Sequence, residues 1–245
     1  KEIIKRWADI AAESGEENPA LILADKFSTA AQIPFYKACQ DYGIKPVFGL
    51  KAVIKGKDGA ENHEVILIAK NDVGRQNINR ITTEAYKINP DKEYKMILRE
   101  HLEEFKDGLI CISGGTVGII ERHILEGDLE SAKRITKYFS KIFNGNFYLQ
   151  VKRTSNDVEG QEIEKKIIDG ILEISKETGV KYIANNDVRF AKKEYFKYFA
   201  TKKSIIQGEL IYNPGKTQSV NENQYLMPTA QMLEVFSDIP NAVFN

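Results

Sequence analysis

Six short, almost wholly apolar runs recur along the chain, each bounded by turn residues and each followed by a polar or helix-patterned stretch. They are Ala20 to Ala24, Pro46 to Ile54, Val65 to Ala69, Leu109 to Ser113, Phe147 to Val151 and Tyr182 to Asn185. Runs without polar alternation are expected of strands buried on both faces. Between them the apolar residues fall at helical spacing, over 34–42, 74–86, 98–105, 117–125, 129–143 and 162–178. Pro34 is placed in the first turn of its helix, where a missing N–H costs little. An opening helix over 3–13 puts Ile3, Ile4, Trp7, Ile10 and Ala11 on one face, with Gly15 as its stop. Strand followed by helix, repeated, argues an α/β fold with a largely parallel sheet, either a barrel or a doubly wound sheet.

One join breaks the rhythm. Only KGKDGAENH separates the second and third runs, and Asp58-Gly59 is a hairpin signal, so this pair is either antiparallel or brackets a short excursion. After the sixth run, a helix-like stretch over 193–206 leads into polar, turn-rich sequence. A last short helix is expected to be capped by Thr229. No repeat or shift in composition marks a second domain.

Composition narrows the function classes. Lys and Arg number 35, Asp and Glu also 35, so the net charge is zero; 42% of residues are hydrophobic and 29% charged. A soluble, cytoplasmic globular chain is expected, without a membrane span or apolar leader. Zero net charge argues against a domain that holds nucleic acid alone through a wide basic surface. Cys39 and Cys111, far apart and without a CxxC, suggest neither a disulfide framework nor a thiolate zinc site. The chain opens on Lys1 and not on Met, so Lys1 is not expected to be the natural start.

Short motifs carry little by themselves. Pro214-Gly215-Lys216-Thr217 invites a phosphate-loop reading, but Leu210 stands where that motif needs its first glycine. Ser113 to Gly118 follows a buried run and opens a helix, so its amides could face an anion; a tight turn that needs glycine is the plainer reading. His101 and His123 fall on charged helix patterns and are expected to be solvated, while His63 stands near a strand end. There is no GxSxG. The ends of the runs, where α/β folds place their chemistry, mix carboxylates with cations: Asp25-Lys26, Gly49-Leu50-Lys51, Ser113-Gly114-Gly115 and Asn186-Asp187-Val188-Arg189.

Seven collinear blocks nevertheless resemble one family. LILADKFSTAAQIPFYKACQDYGIKPVFG, HEVILIAKNDVGRQNINRI, GLICISGG, FYLQVKR, IANNDVRF, Gly215-Lys216-Thr217 and MLEVFSDIPNA are similar, in order and spacing, to the N-terminal polymerase-and-histidinol-phosphatase (PHP) domain of bacterial replicative DNA polymerase III alpha subunits. The resemblance implies a distorted (β/α)7 barrel whose first strand, carrying a His-x-His motif, is missing from this chain. It implies one PHP domain over 1–245, with the barrel over about 1–206 and an extension towards the polymerase palm over about 207–245.

Metal-binding relatives hold a three-metal cluster at the strand ends and can act as a proofreading exonuclease. Carried over by position, the resemblance makes Asp25, Lys26, Lys51, His63, Gly115, Asp187 and Arg189 the remains of that site. Lysine stands at 26 and 51, arginine at 189 and glycine at 115, where ligands are expected; only His63 and Asp187 match. Cations at contact range would repel a divalent ion by several kcal/mol even at an effective dielectric near 20. The expectation is therefore no metal, no cofactor and no catalytic residue in this fragment, with Mg2+ only at a polymerase site outside it. Lys26, Lys51 and Arg189 are expected to fill the site and to pair with Asp25 and Asp187. The implied function is that of a metal-free scaffold within a DNA-directed DNA polymerase (a nucleotidyltransferase). It would dock a separate 3′–5′ proofreading exonuclease subunit, meet DNA through the rest of the polymerase and have no membrane partner. The alternative is residual phosphohydrolase or pyrophosphatase activity at the same rim.

Overall fold

The computed structural model describes residues 1–56, 61–88, 95–208 and 221–245. Six strands, β1 (Ala20–Lys26), β2 (Lys45–Ile54), β3 (His63–Ala69), β4 (Leu109–Ser113), β5 (Phe147–Val151) and β6 (Tyr182–Ala184), form one sheet in the order of the sequence. A doubly wound sheet reverses its strand order at a switch point. This one never does, and it curls as an open α/β barrel. β3 is antiparallel to both β2 and β4, and the other pairings are parallel. The second and third runs are thus an antiparallel pair, while the Asp58-Gly59 turn lies outside the described residues, as does the 214–217 motif.

Helices α1 (Glu2–Ser14), α2 (Gln32–Asp41), α3 (Asp72–Ile88), α4 (Arg99–Glu104), α5 (Ile119–Glu126), α6 (Leu129–Ile142), α7 (Val158–Thr178), α8 (Phe196–Gln207), α9 (Thr229–Val235) and α10 (Asn241–Phe244) complete the described residues. Gly15 closes α1 in the left-handed conformation, φ 69°, as expected of a C-terminal glycine. α7 begins earlier than its apolar spacing suggests, because the Asp157 carboxylate accepts the Gly160 N–H at 2.7 Å and caps a polar first turn. Thr229 does not cap α9. It is the first helical residue, Pro228 precedes it, and no side chain caps the end.

Strand alternation divides the core. Leu50, Ala52, Val65, Leu67, Cys111, Leu149 and Val151 face one way, onto Ile78, Ile120, Ile167, Ile171 and Ile174 of the helices. Fully burying such a side chain contributes roughly 2 kcal/mol. The intervening residues Ile66, Ile68 and Ile112, with Ala24, Val47, Tyr148 and Ile183 beside them, form a smaller cluster on the inner face. Two glycine contacts set how closely elements approach. A Cβ on Gly74 of α3 would lie 1.9 Å from the Gly108 carbonyl oxygen, and one on Gly170 of α7 would lie 2.5 Å from Ile124 Cγ2.

β1 departs from the expectation of burial on both faces. It pairs only with β2 among the described strands, so Ile22 stays 50% exposed. At the other end of the chain, Phe236 and Ala242 fold back into the main cluster. Arg153 fastens that return: its guanidinium holds both Asp238 carboxylate oxygens at 2.6 Å and donates to the Val235 carbonyl.

Candidate functional site

The strand directions bring the carboxyl ends of β1, β2, β4, β5 and β6 to one rim, and antiparallel β3 brings its amino end there. Lys26 stands beside Lys51 in register, and Lys51 beside Ile66, so Glu64 joins the two lysines on the inner face. Two adjacent ammonium groups repel unless each has its own carboxylate. Lys26 pairs with Glu64, and Lys51 Nζ donates to Asp187 Oδ1 at 2.5 Å. Asp187 takes part in the expected pairing, but among the described residues Asp25 forms no ion pair with any of the three cations. Successive strand residues point to opposite faces, so Asp25, opposite Leu50, is turned away from Lys26.

Asp187 is held from several sides. Its own φ is 44°, a left-handed conformation in which Asp is better tolerated than most residues. Its N–H donates to Asn185 Oδ1 at 2.9 Å, while Asn186 anchors the turn by donating to the Asn223 and Tyr225 carbonyls. Arg189 donates to Asp187 Oδ2 at 2.8 Å and Gln224 Nε2 to the same oxygen at 3.0 Å. Burial pushes the Asp187 carboxyl up, but Lys152, Lys51 and Arg189 outweigh it and hold its pKa down at about 2. Lys152, the residue after β5, joins this inner-face group. Burial lowers its own pKa, against the attraction of Asp187.

The glycine loop after β4 has no amide to spare for an outside anion at Gly115, because the chain supplies its own. Gly115 N donates to Glu121 Oε1 at 3.3 Å, and Ser113 Oγ donates to the same oxygen. The Ser113 hydroxyl also accepts from Gln150 N at 2.9 Å, tying the loop to β5. Glu121 is fully buried, and its Oε2 has no hydrogen-bond partner. Burial raises its carboxyl to about 7, against the Ser113 and Gly115 hydrogen bonds and the Lys152 charge. Gly115 has φ 65°, and a Cβ there would lie 2.7 Å from Gln150 Nε2 and 3.1 Å from Lys152 Nζ. A side chain at 115 would strain the left-handed backbone and require the Gln150 amide to shift.

The structure therefore gathers Lys26, Lys51, Asp187 and Arg189 with Gly115 at its edge, and leaves out Asp25 and His63. His63 shares the helix-covered face with Val65 and Leu67. Burial, with Arg122 and then Arg99 adding to it, lowers its pKa to about 4, and its Nδ1 has no partner. His101 and His123 are only half-exposed, and neither Nδ1 makes a hydrogen bond; that of His123 lies 3.6 Å from Glu126 and 3.7 Å from Asp128, so neither is the freely solvated helix histidine expected. Glu64, Lys152, Glu121 and Gln224 were not singled out from sequence. Glu64 was legible, since it lies two residues from inward-facing Ile66. Among the described residues no group of three His, Cys, Asp or Glu side chains is placed to hold a metal ion. The inner-face charges are ammonium and guanidinium donors around two carboxylates, Glu64 and Asp187, each already engaged by cations. They do not fit a divalent cluster, whose ligands must supply lone pairs.

Comparison with known proteins agrees with the sequence blocks. The family model described as PHP domain matches residues 4–154. The DNA polymerase III subunit alpha of Vibrio cholerae is 28% identical over 93% of this chain and 19% of its own length. That of Pseudomonas fluorescens is 27% identical over 96% and 20%, and that of Campylobacter jejuni 28% over 99% and 21%. The chain thus spans about a fifth of the length of the curated relatives it matches. A solved structure from Bifidobacterium adolescentis, described as a metal-dependent phosphoesterase, aligns with 76% of this chain and 82% of its own, at 12% identity and a TM-score of 0.30. That score is too low to carry an argument.

Proposed function

The chain belongs to the PHP-domain family, and from that premise we propose that it is the metal-free PHP module of a bacterial DNA polymerase III alpha subunit. The observation that carries the metal-free reading is the grip of Lys51 and Arg189 on Asp187 at the strand-end rim. A relative that binds metal needs lone-pair donors pointing inward there; this chain supplies two cations to its one inward aspartate and a third, Lys152, beside it. In this reading ion pairs hold the strand ends together where a metal cluster would do so in a metal-binding member. The module itself has no catalytic residue. DNA synthesis, and the Mg2+ it requires, belong to the part of the polymerase outside this chain.

A module without its own nuclease chemistry leaves proofreading to another protein, and the role proposed is docking of a separate 3′–5′ exonuclease subunit in the cytoplasm. The full-length relatives named above support a replication role. The test is co-purification of the full-length polymerase subunit with the exonuclease subunit of the same organism, with and without residues 1–245. Binding that survives the deletion refutes the docking role. Elemental analysis of the purified full-length protein, and nuclease assays with Mg2+, Mn2+ and Zn2+, test the metal-free reading separately. Stoichiometric metal lost on Asp187→Ala would overturn it. Residual phosphohydrolase activity would need a free base or metal ligand at the same rim, where Asp187 is engaged by Lys51, Arg189 and Gln224. Phosphate release from pyrophosphate, abolished by Asp187→Ala, would restore that alternative.

A further inference from the structure

At the opposite rim, where β3 ends and β4 and β5 begin, lies a polar cavity of about 180 Å³ that the strand-end chemistry does not use. Its floor is apolar, from Leu109, Ile142 and Phe143. Its walls carry two ammonium groups, Lys70 from the turn after β3 and Lys106 from the turn before β4, with Asn71, Asn144 and Asn146 between them. Lys70 Nζ is aimed by a 3.2 Å hydrogen bond to Asn146 Oδ1. Among the described residues, the Lys106 side chain makes no hydrogen bond or ion pair, and neither does the Asn71 Nδ2 or the Asn144 side chain. Asp107 is the one carboxylate of the lining, so the lining itself carries one positive charge in excess; outside it, Glu103 of α4 feels the Lys106 charge.

The walls are rigid. Lys70 N donates to the Gly108 carbonyl at 2.8 Å, and Gly108, at φ 71°, sits so close to Gly74 that neither position has room for a Cβ. Asn146 is pinned on both sides, its N–H donating to Phe143 O and its carbonyl accepting from Cys111 N. Preformed donors around a cavity bind without first having to be ordered.

We propose that this cavity is a binding site for a small phosphate-class oxyanion, either free or as the monoester of a small alcohol, held by Lys70 and Lys106 with asparagine amides completing its shell. Size supports this choice. At about 30 Å³ per water, the cavity has room for about six waters. That suits a tetrahedral oxyanion with a short substituent, and it lies below the roughly 300 Å³ at which pockets for drug-sized ligands begin. The ammonium groups supply charge-assisted hydrogen bonds, about twice the strength of neutral ones, and the apolar floor would take the substituent. This site does not depend on the metal-free reading of the other rim.

The experiment is calorimetric titration of the full-length protein with inorganic phosphate and with glycerol phosphate at low ionic strength. The expected result is saturable binding that Lys70→Ala/Lys106→Ala weakens at least tenfold, that Lys106→Arg keeps within a few-fold, and that Lys165→Ala on the exposed side of α7 leaves unchanged. If the double variant fails to fold, Asn144→Asp adds a negative charge at an exposed wall and is expected to weaken binding by a similar factor. Binding that persists in the double variant or in Asn144→Asp, or that disappears in Lys165→Ala, overturns the assignment. So does the absence of saturable binding by either probe.

Discussion

Replacing Asp187 by Asn removes one negative charge from the strand-end rim while keeping a residue that tolerates φ 44°. It therefore separates electrostatics from backbone strain. The folded-state pKa of about 2 lies below the ordinary aspartate value of 3.8, and each unit corresponds to about 1.4 kcal/mol. The charge of Asp187 thus contributes about 2.5 kcal/mol, an order-of-magnitude figure that suits a side chain only 13% exposed. A depressed carboxylate pKa means that this stability is fully present above pH 3.8 and is lost as pH falls through about 2. At pH 7, Asp187→Asn is expected to lower the unfolding free energy by about 2.5 kcal/mol, and leaving Lys51, Lys152 and Arg189 without their carboxylate pushes the loss towards the roughly 3 to 5 kcal/mol seen when a buried pair is broken. In a chain of this size the first 2.5 kcal/mol alone is a fall in Tm of about 5–10 °C. Urea unfolding at pH 7, with carboxyl NMR titration of Asp187 in the parent, measures both sides. A loss under about 0.5 kcal/mol, or an Asp187 pKa at or above 3.8, would refute the claim that three cations converge on this carboxylate.

Glu121→Gln tests the opposite sign. Its carboxyl, raised to about 7 by burial, contributes stability that is complete below pH 4.5 and is lost as pH rises through 7, about 3 kcal/mol in all; the Gln variant should flatten stability between pH 4.5 and 7 in urea melts. Lys152→Met removes the strongest attraction on Asp187 and an attraction on Glu121, so both carboxyl resonances should titrate at higher pH than in the parent. Gly74→Ala must force apart α3 and the turn before β4, where a Cβ would meet the Gly108 oxygen at 1.9 Å; a loss of at least about 2 kcal/mol is expected by denaturant unfolding. Arg153→Lys keeps the charge but loses the two-point grip on Asp238, and limited proteolysis should then release the α9–α10 return more readily, with little change in Tm.

Period-2 and period-3.6 patterns carried most of the architecture, because burial acts on each element locally. β4 and β5 begin and end where their apolar runs do. The misses arise where a neighbour decides. β1 has the composition of a doubly covered strand, yet its cover depends on what pairs beyond it, which no local pattern encodes. The start of α7 rests on one carboxylate, Asp157, in a polar turn that periodicity skips.

The site shows the same division at finer scale. Lys51, Asp187 and Arg189 come together because strand ends are positions along the chain, which family resemblance can read. Asp25 and His63 turn away because facing is a matter of parity, and a residue one step along a strand belongs to the other side of the sheet. Parity would have moved attention from His63 to Glu64, and from Asp25 to the pair made by Lys26 with Glu64. Lys152 follows from the same rule, since it continues the inward series Tyr148 and Gln150. Its effect on Asp187 and Glu121 needs the distance between β5 and the turn after β6, which only the folded chain supplies. A rim built this way depends on mutual charge balance: Lys51 without Asp187, or Asp187 without its cations, is worse than neither. Lys26, Lys51 and Arg189 with Glu64 and Asp187 are thus one coupled set of charges on a single surface, and replacing any one of them alone should destabilise the rim.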